Sequence, residues 1–561
     1  MKQITNYFDR HWYVLSMLLI FTYTLFSGIQ TICYSDEGYF GSAYQNFFDA
    51  HESTYTTDSY YLSILVGAIW DKLFGCYGIF SYTVLVGLIS CVTFHFIQRT
   101  ITKENESSRW VITIGFFMTL LYGFTYLVNN CHLTCLILSV ESCLIYEAYN
   151  EKSLYKYFVA SFLGGLNVFI RLPNVLLLVL LIIPIFFVRK DNRLLFSYLK
   201  NGFLGVILSV AFVSILMNIF GHLEYFYKAT FENLSVEAAS GEESIHSFGS
   251  LATNYIKDYA CILVLMLIVW TLLFLKKYFK SRILLLVYLI IVFLIMIVIT
   301  SYLKKYVYVH SFNYIIFSVA LFCIIRNIIL KRYNNLVLYL LSLGIAFIMP
   351  LGTDAGIASL GGLSSMFMFP LALSETKKEV DGLENRVRIN NLLFIFSLSS
   401  LFILFRFFDI VRHGSWAEPG NRLQKVYTID NSKYATVFVS KERDEEIDTA
   451  LEELNKYVKE GDYLFCFKDI PIFNYLTNTK PYAYCSEPGF INPGLFKAHL
   501  DQAEKNIQVK PIVIKEKVLV RNPGWEKHGE IMQDFLRKNE YTKIWENNKF
   551  EVLVPNNMLS K

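Results

Sequence analysis

Charge is what this sequence has little of. Asp, Glu, Lys and Arg make up 17% of its 561 residues, where a soluble protein of that length carries roughly a quarter. Hydrophobic residues reach 54% and the mean hydropathy is +0.40. A polytopic membrane protein is therefore expected, and a soluble enzyme is excluded. Other features are missing too. The ten histidines form no HExxH and no spaced pair of zinc ligands. Gly352-Thr353-Asp354-Ala355-Gly356 is glycine-rich, but it follows an apolar run rather than a strand, and no Lys-Ser/Thr completes a phosphate loop. A tight turn between spans is its first reading, with Asp354 at a cavity mouth as the minority one. No cleavable signal peptide is evident, because the first apolar run is too long and lacks a small-residue cleavage site. Internal repeats, which many transporters show, are not evident either.

What the chain does have is long apolar runs. Taking about 20 residues per span, candidates lie near 12–32, 76–98, 110–128, 131–148, 156–171, 173–188, 202–220, 259–275, 283–301, 311–330, 336–351, 363–374 and 391–408, about thirteen in all. Basic residues crowd alternate loops: Lys2 and Arg10, then Arg99, Lys103 and Arg109, then Lys152 and Lys156, then Arg189 to Lys200, Lys276 to Arg282, Arg326 to Arg332, and Lys377 to Arg388. Lys/Arg-rich loops stay in the cytoplasm. The N-terminus is then inside and everything after Phe408 is outside, with the inner (plasma) membrane as the expected location. The same topology gathers Asp36-Glu37, Arg171, the 221–258 loop, Lys304-Lys305 and the 352–356 turn on the outer face.

Of these, Tyr34-Ser35-Asp36-Glu37-Gly38-Tyr39-Phe40 stands out. It places two adjacent carboxylates directly after the first run, at the rim of the bilayer, where ionisable groups are costly and functional by default. The plainer alternative is that the pair caps the following helix. Amphipathic surface segments are expected at Gly41 to Ala50 and Tyr60 to Phe74. Loop 221–258 reads as a surface loop before it reads as a lid. Arg171 interrupts an apolar stretch, and it and Lys304-Lys305 carry two readings: snorkelling to the interface or gripping phosphate oxygens. His310 reads as an interfacial histidine before it reads as a sugar contact.

From about residue 410 the character changes. Asp444 to Lys459 has the stripe of an amphipathic helix, Tyr463 to Phe467 reads as a buried strand, and Val509 to Ile514 and Phe550 to Val554 are further strands, with a helix near 529–538. This predicts a small α/β domain over 409–561, beside a helical membrane domain over 1–408 that includes the first outer loop, 33–75. Of ten cysteines only Cys466 and Cys485 lie in this tail, and a disulfide between them fits if the tail is outside the cytoplasm.

An N-terminal span followed by Asp-Glu at the head of a long outer loop resembles the GT-C superfamily of membrane glycosyltransferases, and more closely its protein O-mannosyltransferase and lipid A aminoarabinose transferase branch. Trp70-Asp71-Lys72-Leu73-Phe74-Gly75 is similar to the family's surface-helix ending, and Asp469-Ile470-Pro471-Ile472-Phe473-Asn474-Tyr475-Leu476-Thr477 to a recurrent stretch of its tails. The architectural likeness covers the whole chain. The motif likeness is confined to about 34–75, with echoes at 171 and 469–477. There are departures. Tyr39 stands where the lipid A enzymes have Arg, Asp58-Ser59-Tyr60-Tyr61 stands where relatives carry a Pro-Pro element, and the oligosaccharyltransferase Trp-Trp-Asp-Tyr-Gly is absent.

The resemblance implies transfer of a sugar from a polyprenyl-phosphate carrier to an acceptor hydroxyl on a lipid, glycan or protein, with inversion. Asp36 would be the general base and Glu37 its holder or an acceptor ligand. Arg171, Lys304 and Lys305 would face the donor phosphate, and Tyr39, Asp58, Tyr60, His310 and Asp354 would line the cavity. No cofactor is demanded, although outer-rim carboxylates are able to take a divalent cation. No nucleic-acid partner is expected. The competing classes are a transporter or flippase and a polysaccharide polymerase or ligase.

Overall fold

The computed structural model describes residues 2–30, 32–49, 58–103, 109–121, 129–232, 248–275, 308–330, 336–351, 356–383, 385–413, 417–517 and 524–559, with isolated helical positions between 287 and 298. Helix α1 (Lys2–Gly28) is followed by two helices of the first loop, α2 (Asp36–Asn46) and α3 (Tyr61–Phe74). Then come α4 (Gly78–Thr102), α5 (Arg109–Leu120), α6 (Asn130–Glu151), α7 (Leu154–Ile170), a 3-10 run at Leu172–Leu181 continued by α8 (Ile182–Val188), and α9 (Asn192–Ile219). The bundle closes with α10 (Phe248–Leu275), α11 (Tyr308–Ile329), α12 (Leu336–Ile348), α13 (Gly356–Ser364), α14 (Met368–Asp381) and α15 (Asn385–His413).

Among the described residues five helices are long and apolar enough to cross a membrane, or six if the bent pair α13–α14 counts as one span. That does not support the count of about thirteen, and the reasons are local. The predicted span at 363–374 is a pair of helices bent by 54°, at a site where Gly361 and Gly362 let Asn313 and the Thr119 carbonyl approach closely. The predicted span at 173–188 is 3-10 for ten residues. A 3-10 run rises about 2.0 Å per residue, so with α8 it still extends about 30 Å. The predicted span at 283–301 lies almost wholly outside the described residues.

Two chain breaks have clear causes. The Asn129 side chain accepts from Cys131 N and His132 N, while His132 Nδ1 accepts from Asn129 N, a reciprocal cap that starts α6. Arg171 is extended and Pro173 opens the 3-10 run, which ends α7. Small residues then let α7 and α9 touch: a Cβ on Gly205 would lie 2.7 Å from the Phe158 carbonyl. At the far end of α6 the buried Glu147 carboxylate accepts from Arg99 at 2.8 Å, Lys156 at 2.6 Å and Lys103. Cys131 lies at the other end, sixteen residues and about 24 Å away along the axis.

The tail carries a five-stranded sheet in the order β4-β3-β5-β7-β6. Strands β3 (Tyr463–Phe467), β4 (Lys480–Pro481) and β5 (Ile512–Glu516) are parallel, and β7 (Phe550–Pro555) pairs antiparallel with β5 and with β6 (Tyr541–Glu546). Two short strands, β1 (Tyr427–Thr428) and β2 (Phe438–Val439), form a separate pair. Helices α16 (Lys441–Leu454), α17 (Ile472–Thr477), α18 (Pro493–Asn506) and α19 (Gly524–Lys538) accompany them. The expected α/β tail is therefore present. Cys466 and Cys485 are both buried and are not joined by a disulfide. The tail grips the chain leaving α1: Phe438 N donates to Ile29 O at 2.9 Å, and Arg422 Nε donates to Gln30 Oε1 at 2.7 Å.

Candidate functional site

Asp36 and Glu37 are the first two residues of α2, where carboxylates favour the positive end of the helix dipole. Capping alone does not explain them, because the two side chains have different surroundings. Glu37 is only 1% exposed. Its Oε2 accepts from Tyr434 Oη at 2.7 Å and from Cys33 N at 3.1 Å, and its Oε1 has no partner. Burial, the largest effect, pushes Glu37 up to about 8 against those hydrogen bonds. Glu37 thus ties α2 to the tail. Asp36 differs in being open to solvent, although enough protein surrounds it to desolvate its charge. Desolvation, and then the charge of Asp469, raise it to about 6.

The tail reaches this point directly. Ile472 N donates to Tyr34 O at 3.1 Å. Gly38 is pressed so closely to the loop that a Cβ there would lie 2.0 Å from Ile472 N and 2.4 Å from the Pro471 carbonyl carbon. Tyr34 is held by its hydroxyl, which donates to Glu446 at 2.9 Å, and by the Arg443 guanidinium 3.9 Å over its ring. The Leu-Phe-Gly stretch closes another side. Tyr82 Oη donates to Asp71 at 2.5 Å and Trp70 Nε1 to Ser81 O at 3.1 Å. Ile79 N then donates to Lys433 O at 2.9 Å, next to the Tyr434 that holds Glu37.

Arg171 is 2% exposed. Its Nη1 donates to Met349 O at 2.8 Å and its Nη2 to Leu351 O at 2.6 Å, so it caps the carboxyl end of α12. Cys131 lies within electrostatic range of both Arg171 and Asp36, which places the two on the same end of α6. The snorkelling reading is therefore replaced by a buried clamp. A guanidinium has five N–H donors, so two carbonyl contacts do not exhaust it. Arg171→Ala is expected to leave the buried Met349 carbonyl and the part-buried Leu351 carbonyl unpaired, at a cost of about 1–3 kcal/mol for the buried one, lowering the unfolding temperature in detergent by several degrees. An unchanged melting curve would remove the clamp role.

Of the remaining candidates, Tyr39 is buried and edge-on to Phe40 at 5.3 Å, and Tyr60 is partly buried 5.9 Å from the same ring. Asp58 begins a 3-10 turn before α3 and His310 lies in the first turn of α11, but their side chains fall outside the described residues. So do Lys304, Lys305 and Asp354 altogether, and residues 233–247 of the suggested lid. Among the described residues no group of three or more His, Cys, Asp or Glu is arranged to hold a metal ion.

Sequence reasoning missed Tyr434 and Glu487 and did not single out Gly38 or Asp469. Glu487 feels both Asp469 and Asp36, is raised well above the carboxylate range by burial first and Asp469 next, and leaves its Oε2 without a partner. Asp469 belongs to the tail stretch already noticed, which was the one signal available.

No protein-family model and no curated protein sequence matches the chain. Among solved structures it is similar to the archaeal oligosaccharyltransferase AglB from Archaeoglobus fulgidus in complex with an inhibitory peptide and a dolichol-phosphate, at 13% identity and TM-score 0.47, covering 91% of this chain and 70% of that one. The apo form of the A. fulgidus oligosaccharyltransferase aligns at 11% identity and TM-score 0.47, with 91% and 70% covered. Its complex with Zn and sulfate aligns at 12% and 0.45, with 90% and 67% covered. At this distance the functional reading rests on the site itself.

Proposed function

We propose that the chain is an integral-membrane glycosyltransferase of the GT-C kind, which moves a hexosyl or pentosyl group from a polyprenyl-phosphate donor to an acceptor hydroxyl at the outer face. The observation that carries this reading is Asp36: an accessible carboxylate desolvated by the protein around it, tuned to about 6, at the rim of an apolar bundle and at the same end of α6 as the buried cation Arg171. An alcohol becomes a competent nucleophile as a positioned carboxylate takes its proton. Asp36 accepts the acceptor's hydroxyl proton and the acceptor oxygen forms a bond to the anomeric carbon. The bond from that carbon to the phosphate oxygen breaks, and the phosphate leaves with the electron pair. Attack opposite the leaving group inverts the anomeric centre. Glu37 holds Asp36 through α2 rather than touching substrate. Arg171, and Lys304 and Lys305 on the same predicted face, supply the positive field that the leaving phosphate needs.

Sidedness is part of the proposal. Basic residues at the ends of α4 and α7 meet Glu147 near the end of α6, and Asp36 and Arg171 lie at the opposite end of α6. A cytoplasmic N-terminus, a transmembrane catalytic domain over 1–408 and an extracytoplasmic α/β tail over 409–561 in the inner membrane accord with that separation.

A base works in its deprotonated form. With Asp36 raised to about 6, transfer is expected to rise about tenfold per pH unit below that value and to level off above it. An acid limb centred at the ordinary carboxylate range of about 4 would detach the rate from Asp36. The activity itself is tested by gene deletion and complementation, with mass spectrometry of envelope lipids, glycans and glycoproteins. One sugar increment lost in the deletion and restored by the wild type, with release of free polyprenyl phosphate, supports the transferase. A transporter has one observation in its favour: Glu141 in the middle of α6 is fully buried and neither carboxyl oxygen has a partner. That reading predicts instead a lipid intermediate accumulating on the inner leaflet, with no polyprenyl phosphate released.

A further inference from the structure

The transferase reading accounts for the bundle side of the site and leaves two tail carboxylates unused. Asp469 follows the end of β3 after a single residue, and Glu487 follows the end of β4 after a short turn region. Strands β3 and β4 are parallel neighbours, and open α/β sheets bind ligands beyond the carboxyl ends of their parallel strands. The backbone is strained at these two exits. Lys468 adopts φ +77°, Ala483 +62° and Tyr484 +57°, a region that is costly for a residue with a side chain and persists where the surroundings enforce it. The first of these residues immediately precedes Asp469. Glu487 is 4% exposed and lies close enough to Asp469 and Asp36 to feel the charge of both, with its Oε2 unpartnered. Burial, and then Asp469, favour the protonated form of Glu487, so the pair presents several acceptor oxygens and, in that form, an O–H donor. That is the complement of a hydroxyl-bearing sugar or polyol.

Resting on the transferase reading, we propose that the carboxyl edge of the tail sheet, through Asp469 and Glu487, is the acceptor-binding wall of the site and holds a polyhydroxylated acceptor against Asp36. The bundle then provides the donor side and the tail the acceptor side.

Asp469→Asn and Glu487→Gln test this in two ways. In proteoliposomes that carry the lipid extract of the deletion strain as donor pool, the envelope fraction of that strain is titrated as acceptor pool. The amount giving half-maximal release of polyprenyl phosphate is expected to rise at least tenfold in each variant, with the plateau falling less than threefold. In the purified full chain, carbodiimide and glycine ethyl ester label protonated carboxyls. The pH of half-labelling of Asp36, read by peptide mass spectrometry, is expected to drop in Asp469→Asn, since a neighbouring negative charge is removed. Unchanged labelling overturns the juxtaposition. Shifted labelling with unchanged half-saturation overturns the acceptor role. Full transfer by Asp36→Asn would instead overturn the reading beneath it.

Discussion

Asp36→Asn is expected to lower sugar transfer by about three orders of magnitude while leaving insertion and folding intact. A positioned general base contributes about 10²–10⁴-fold, and an amide is nearly isosteric with the carboxylate but cannot take the proton. Folding should survive because Asp36 does not bind the structure together. It is the solvent-accessible member of the pair, and the hydrogen bonds that fix α2 to the tail belong to Glu37, Tyr434 and Cys33. The substitution also removes a charge that the site disfavours, since desolvation and Asp469 both push Asp36 toward its neutral form. The variant is therefore expected to melt at or above the wild-type temperature while its transfer is lost. Initial rates of polyprenyl phosphate release in membrane vesicles, with a melting curve on the same preparation, decide the matter. Activity within tenfold of wild type would make the pair structural and move attention to the transport reading.

Much of this architecture was legible in the chain because it rests on two strong signals. Long apolar runs locate the helices, and the strand at Tyr463–Phe467 coincides with the buried run read from the sequence. The helix ending at Phe74 was equally clear, as an apolar segment stopped by Gly75. The losses are physical in kind. Strands β4 and β6 lie on the two edges of the sheet; β4 has two residues, and β6 buries none of its six, so neither has a hydrophobic period to read. The bend between α13 and α14 falls just after Gly361 and Gly362, which other helices approach closely, and no local pattern announces it. In the site, Asp36 was visible because a carboxylate at the end of an apolar run is conspicuous. Glu487 was not, because a lone carboxylate in a polar tail looks like solvated surface until the fold buries it. Arg171 was conspicuous for the same reason as Asp36, yet its clamp on the Met349 and Leu351 carbonyls depends on a contact 178 residues away in sequence.

Gly38→Ala is expected to cost about 100-fold in transfer without touching any reacting group. Glycine is required here for space, not for backbone freedom. A Cβ at this position would sit 2.0 Å from Ile472 N, 2.4 Å from the Pro471 carbonyl carbon and 2.5 Å from Ile472 Cα. All three are backbone atoms, which cannot rotate aside as the tip of a side chain does. The loop is also fixed from behind, by Ile472 N on the Tyr34 carbonyl. Relief therefore demands that α2 and the 469–472 loop part by more than about 1 Å, a displacement able to cost 10²-fold when it separates a base from its substrate. The same retreat takes the Asp469 charge away from Asp36, so the acid limb of the pH profile should move down from about 6. Loss of rate and a downward limb together would identify separation of tail from bundle, since simple unfolding lowers the rate at every pH without moving the limb. Gly382→Ala is the matched control: its Cβ would meet only the Glu379 and Lys378 carbonyls, at 3.6 and 3.9 Å, an ordinary contact, and wild-type activity is expected. A Gly38→Ala variant with wild-type rate and an unmoved acid limb would show that the close approach of the tail to α2 does not govern catalysis.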